Sequence, residues 1–276
     1  SHWTTSISIC TTYINERISK KIKKIGLIHN ANPHENSLFS SFFLKRYLRS
    51  LNEYVTFSKV VKEHIEKISP RIIGKTFFLP VPNKFGNSIK PIVAKKKLEL
   101  CPKTKYLMFF GIIRPYKGLD LLIKAFDILR RTKNNVELLI VGENYESINK
   151  YQSLKEFSNN KKYIKFVNKF IDEKMLKYWF SAVDIVIQPY KNASQSGVTS
   201  LAIHFEKILV TTNTGGLSEL IENEKNGFTC EVNFHDISKT IDNALSCDKN
   251  TILKNLRRTK KILSWKNFTK KLLKNT

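Results

Sequence analysis

The stretch FFGIIRPYKGLDLLIKAF, from Phe109 to Phe126, changes its hydrophobic period in the middle. Its first residues continue the apolar run that starts at Tyr106, YLMFFG, which is too short for a membrane span and suits a buried strand. Its last residues place Leu119, Leu122, Ile123 and Phe126 at helical spacing. Between them lies a short loop carrying Gly111, Arg114, Lys117 and Gly118. Strand, loop and helix in that order form half of a βαβ unit.

Reading outward, the unit recurs. VELLIVG, YIKFVN, VDIVIQP, KILVTT and GFTCEV are strands; EKMLKYWFSA, GVTSLAIHF and a short GLSELIE are helices between them. Continuous apolar strands alternating with amphipathic helices predict a parallel sheet covered on both faces, with about six strands between residues 104 and 235. Two or three further helices close the chain, the last in SWKNFTKKLLKNT. Upstream the same alternation runs through KIGLIH, SLFSSFFLKRYLRSL, EYVTFS, KVVKEHIEKI and a strand TFFLPVP stopped by Pro80 and Pro82. A loose Lys- and Pro-containing segment follows, and the domain boundary is expected within residues 87 to 103. The expected organisation is a first Rossmann-like domain over residues 1 to 95, a second over 96 to 262, and a terminal helix over 263 to 276 that packs back on the first.

The net charge of +25 at pH 7 invites an anionic partner. The excess is mostly Lys, spread along the chain. Arg is sparse and no basic stripe with interleaved aromatics occurs, which argues against nucleic acid. An anionic membrane face or a diphosphate suits the charge better. Cys10, Cys101, Cys230 and Cys247 show no CxxC spacing, so no zinc site is expected and free thiols in a reducing cytoplasm are the default.

Ligands of open parallel sheets bind outside the carboxyl ends of the strands. Here those ends read FFGIIRPYKG, IVGENYE, QPYKNASQSG and TTNTGG. Gly111, Arg114 and Lys117 at a helix start suit an anion, although neither the P-loop nor the GxGxxG spacing is present. Ser196 with the amides of Gly197 and Val198 either holds a second anion or forms an ordinary N-cap. Gly215 and Gly216 allow close backbone approach, and Glu219 follows one turn into a short helix, able to accept a sugar hydroxyl. LIHNANPHE gathers His29, Asn30, His34 and Glu35 at a strand end; the Pro between the two His forbids one helical face, so sugar or phosphate contact is preferred to metal.

Together these loops resemble the retaining glycosyltransferases of the GT-B fold, family four. The pieces that carry the resemblance are LIHNANPHE, FFGIIRPYKGLDLLIKAF, ELLIVGE, FIDEKMLKYWFSAVDIVIQPY and SQSGVTSLAIHFEKILVTTNTGGLSELIENEKNGF. The resemblance implies two Rossmann-like domains, the first incomplete here, and transfer of a sugar from a nucleotide-sugar donor to a glycan or lipid-linked acceptor. It further implies work in bacterial surface polysaccharide or lipopolysaccharide synthesis, in the cytoplasm or at the inner membrane face, with no metal or other cofactor. His29, Arg114 and Lys117 would be catalytic. Gly111, Glu143, Ser196, Gly197, Val198, Gly215, Gly216 and Glu219 would hold the donor.

The chain departs from the family in three places. Ile112 stands where an Arg is usual, with Arg114 as the substitute. Ala193 and Leu201 stand where many members carry two Glu, so a front-face transfer is implied rather than double displacement. The first domain's opening strand and Gly-rich loop are not in this sequence. A truncated, inactive relative that binds nucleotide sugars or a partner protein is the alternative.

Overall fold

The computed structural model describes residues 5–29, 38–144, 151, 153, 156 and 158–274. Contacts divide the chain into two units, Ser1–Leu79 with Lys266–Thr276, and Pro80–Trp265. The division after Leu79 falls ahead of the 95/96 boundary expected from sequence, and the second junction lies just past 262/263. The reason is packing that composition does not reveal. Helix α4 (Pro91–Lys97) lies on the helix at Glu173–Ala182, with Ala94 fully buried. The Ile89 amide donates to Ser181 Oγ at 3.0 Å, and Ser88 Oγ donates to the Phe205 carbonyl at 2.9 Å. The Lys-rich segment is therefore part of the second unit.

The first unit orders α1 (Thr5–Arg17), β1 (Ile25–Ile28), α2 (Leu38–Arg49), β2 (Glu53–Thr56), α3 (Lys59–Ile68) and β3 (Ile73–Thr76). Its three strands form a parallel sheet, β1-β2-β3. Ser58 caps α3 by accepting from the Val61 amide, and Val61 and Ile65 face inward as the amphipathic pattern predicts. The third strand is IGKT rather than the predicted TFFLPVP. Gly74 explains the shift. The Tyr54 ring lies where a Gly74 side chain would be, so this strand has little apolar signal to read. Phe77 and Phe78 instead cover the terminal helix: Phe268 is buried and its ring lies 5.9 to 6.1 Å from those of Phe57, Phe77 and Phe78.

The second unit contains β4 (Lys105–Phe110), α5 (Leu119–Leu129), β5 (Val136–Val141), β6 (Ile164–Val167), α6 (Glu173–Ala182), β7 (Ile185–Gln188), α7 (Gly197–His204), β8 (Ile208–Thr212), β9 (Phe228–Cys230), α8 (Phe234–Ser246) and α9 (Lys249–Ile262). Helix α10 (Trp265–Lys274) follows. The six strands are all parallel, in the order β6-β5-β4-β7-β8-β9. On one face Phe110 meets Phe180 edge-on and Phe180 stacks on Phe205, with centroid spacings of 5.1 and 5.2 Å. The chain starts in the middle of the sheet and builds out one way, then the other. The order reverses between β4 and β7, and in open parallel sheets ligands bind outside the strand ends at such a switch point.

Candidate functional site: a buried cation at the switch point

The loops after β4 and β7 meet at this point. A backbone bond and an ion pair hold them together: the Lys191 amide donates to the Tyr116 carbonyl at 2.7 Å, and Lys191 Nζ donates to Asp120 Oδ2 at 2.7 Å. The β4 loop runs through Gly111 with φ +102 and into a single 3-10 turn, Pro115–Lys117, before α5 begins. At Gly111 the left-handed backbone is one that other residues rarely adopt. A Cβ there would sit 3.2 Å from Lys117 Nζ and 3.6 Å from Val198 Cγ2. Gly111, Lys117 and Val198, which are far apart in sequence, thus converge.

Lys117 is buried, with 9% of its surface exposed. Its ammonium lies 5.4 Å from the centre of the Tyr190 ring. Among the described residues no carboxylate pairs with it. Burial pushes its pKa down to about 8, and the nearby charge of Arg114 pushes the same way. Two cations, one of them desolvated and unpaired, are an arrangement that an anion would relieve.

The start of α7 forms the opposite wall. Ser196 is the N-cap, and its Oγ accepts from the Val198 amide at 3.2 Å. The Gly197 position faces open space: a Cβ there would meet nothing within 4 Å. Below, Gln188 is almost wholly buried at the end of β7. Its amide nitrogen donates to Ser196 Oγ at 2.8 Å, and its carbonyl accepts from Thr199 Oγ1 at 2.8 Å. This pair of bonds fixes the cap from beneath. Burial raises the Tyr190 hydroxyl to about 12, so it stays protonated. Sequence reasoning did not single out Gln188 or Tyr190. A Gln closing an otherwise apolar buried strand was the available signal.

The Gly-Gly turn packs closely against the chain's own backbone. Gly215 has φ +53, and a Cβ there would collide with the Ala193 carbonyl. The Gly216 amide donates to that same carbonyl at 3.1 Å. This close approach is to the chain's own β7 loop. GLSELIE does not form a helix. It is a run of tight turns, with Leu217 N bonded to Thr214 O and Ile221 N to Ser218 O. Asn226 draws off the Glu222 amide that would have continued a ladder. Glu219 is exposed within these turns, so no helix end acts on it.

Glu143 lies in the loop after β5, where its carbonyl accepts from the Ile113 amide at 2.9 Å. It therefore joins the same strand-end edge as Arg114. His29 belongs to the first unit, half-buried at the end of β1, with its ring 4.5 Å from that of Phe57. Asn30, His34 and Glu35 lie outside the described residues. Among the described residues no group of three or more His, Cys, Asp or Glu side chains could hold a metal, and no helix is long and apolar enough to cross a membrane.

The chain is similar to known proteins in sequence and in fold. The family model for glycosyl transferases group 1 matches residues 93–261. An uncharacterized glycosyltransferase of Haemophilus influenzae is 26% identical over 148 residues, covering 53% of this chain and 40% of that protein. A D-inositol 3-phosphate glycosyltransferase of Pseudarthrobacter chlorophenolicus is 29% identical over 136 residues, covering 49% of this chain and 32% of that one. The matches span less than half the length of these curated relatives. Among solved structures, sucrose-phosphate synthase of Thermosynechococcus elongatus superposes with a TM-score of 0.79 at 15% identity, over 98% of this chain and 72% of that one. Anabaena HepE in complex with UDP-glucose gives 0.77 at 14% identity, over 94% and 72%. At such identities the likeness is one of fold: α/β with parallel sheets, matching GT-B glycosyltransferase structures.

Proposed function

The chain belongs to the glycosyl transferases group 1 family, and on that premise we propose that it transfers a sugar, with retention, from a nucleotide-sugar donor to a glycan or lipid-linked acceptor, as a family-four member. The observation that carries this reading is the buried Lys117, unpaired with any carboxylate among the described residues, at the switch point opposite the open start of α7. The crystallised likeness to HepE with UDP-glucose supports a donor of this class.

Breaking the C1–O bond of such a donor develops negative charge on the departing diphosphate. Lys117 and Arg114 stabilise that charge without reorganising, because the loops already hold them. The amide of Gly197 adds a donor; that of Val198 does so once it exchanges Ser196 Oγ for a phosphate oxygen. No metal is needed for this charge. The loop Pro189–Ser196 contains no carboxylate. Front-face transfer follows, the leaving phosphate taking the acceptor's proton. Surface polysaccharide or lipopolysaccharide synthesis at the cytoplasmic side of a membrane is the setting that suits a basic chain of this family.

A second reading rests on the same loop. Ala193 is buried and its carbonyl is used by Gly216, so a relative that binds nucleotide sugars without turning them over fits it too. Calorimetry with UDP-, GDP- and ADP-sugars, followed by assay of nucleotide release with candidate acceptors, separates the two. One donor is expected to bind and release nucleotide. Binding without release establishes the second reading. No binding of any nucleotide sugar overturns both.

A further inference from the structure

We propose that the face of the first unit formed by α1 and α2 docks on an anionic lipid bilayer. Helix α2 turns Leu44, Tyr47 and Leu48 into the core with Ile28, Val61 and Ile65. Its other side carries Phe42, 62% exposed, with Lys45, Arg46 and Arg49, all exposed. Helix α1 lies alongside, tied by Asn15 Nδ2 to Ser50 Oγ at 3.1 Å and by Arg46 to Glu16 at 3.4 Å. Between the helices is a surface cavity of about 430 Å³ lined by Glu16, Phe42, Lys45, Arg46, Arg49 and Ser50.

Charge and apolar exposure coincide on this face. Glu16 is the single carboxylate among the described residues of 10–29 and 42–50. It engages Arg46 at the long end of ion-pair range with both partners exposed, which contributes little. Lys45 and Arg49, one turn apart, form no ion pair among the described residues, and like charges so placed repel. Beside them α1 exposes Tyr13 and Ile14, 54% each, with the Arg17 guanidinium 3.3 Å above the Tyr13 ring. Lys20, Lys21 and Ile22 follow, all exposed, and Lys23 beyond them pairs with Glu53 at 3.0 Å.

Water alone is a poor partner for exposed Phe, Tyr and Ile, and cations crowded with little counter-charge gain from an anionic plane. An acidic bilayer supplies both, taking the rings and aliphatic chains into the headgroup boundary while phosphates meet the cations. Aliphatic Ile14 and Ile22 within the patch favour lipid over nucleic acid, where stacking rings and base-reading groups would be expected.

The test is co-sedimentation of the full chain with phosphatidylcholine vesicles, with and without phosphatidylglycerol. Binding is expected only to the anionic vesicles and is expected to weaken with salt. Each cation near such a surface is worth roughly fivefold, so Lys45→Gln with Arg49→Gln should weaken binding about thirtyfold. Phe42→Ser should weaken it as well. The control, Lys225→Gln with Arg258→Gln, removes the same charge around a second surface cavity, of about 330 Å³, in the other unit. It should change binding far less. Equal loss in the control, equal binding to neutral vesicles, or binding to RNA but to no vesicle would overturn the assignment. Calorimetry of UDP on the same proteins reads the nucleotide site separately, so failure of the transferase reading leaves this result intact.

Discussion

The Lys117 ammonium lies 5.4 Å from the centre of the Tyr190 ring. The ring is the group facing a buried cation that has no carboxylate partner among the described residues. An aromatic face attracts a cation but does not neutralise it, so the charge remains available to a ligand. Changing Tyr190 to Leu removes that face; changing it to Phe keeps it. Tyr190→Phe is expected to bind UDP within about threefold of the parent, whereas Tyr190→Leu should lose about fivefold or more. Calorimetry distinguishes them, and equal affinities for both variants would remove Tyr190 from the site.

Lys117 links binding to pH. Its pKa in the free protein is about 8, below the ordinary 10.5. A bound diphosphate favours the charged form and raises that value. Near pH 8 about half of the free molecules must therefore take up a proton on binding. UDP affinity should fall as pH rises through 8, and the measured heat should depend on the buffer's ionisation enthalpy. Lys117→Ala should abolish the dependence and weaken binding about tenfold to a hundredfold. It should also leave the melting temperature unchanged or higher, since a desolvated charge has been removed.

The two glycines of the site separate fold from binding. Gly215→Val places a branched side chain at φ +53 against the Ala193 carbonyl. The strain alone costs roughly 1–3 kcal/mol, and urea denaturation should show at least that loss. Gly197→Ala meets open space and should melt like the parent, but its methyl projects where a phosphate would approach, so UDP affinity should fall. A Gly215→Val variant as stable as the parent would contradict the packing described.

Gln188 supports the cap of α7 from below. Gln188→Leu takes away the bond donated to Ser196 Oγ, which keeps the Val198 amide, and removes the acceptor of the buried Thr199 hydroxyl. A loss of about 1–3 kcal/mol in unfolding free energy is expected. Gln188→Glu keeps an acceptor for Thr199 while giving up the bond donated to Ser196, and it places a negative charge beneath the anion site. That variant should bind UDP more weakly than Gln188→Leu does, which a merely structural role for Gln188 would not produce.

Helix α10 places Phe268 in an aromatic cluster of the first unit. Phe268→Ala empties the space among Phe57, Phe77 and Phe78 and should cost about 3–5 kcal/mol. Thermal unfolding followed by circular dichroism reads the loss.

The sequence by itself determined the alternation of strands and helices, the six parallel strands of the second unit and the loops at their ends. It could do so because apolar period and punctuation are local properties, and Tyr106 to Phe126 display both. Lys117, Gly111 and Val198 were legible as candidates for the same reason: each sits where a strand stops or a helix starts. What only the tertiary structure decided depends on residues distant in the chain. The IGKT strand is hidden from sequence because Tyr54 fills the place of the side chain that Gly74 lacks. The boundary at Leu79 is set by α4 lying on α6. The packing of the Gly215–Gly216 turn on the Ala193 carbonyl appears only where two loops converge. The missing counter-charge of Lys117 is likewise a property of its surroundings, since a Lys in a Lys-rich chain shows its burial only once the sheet has folded around it.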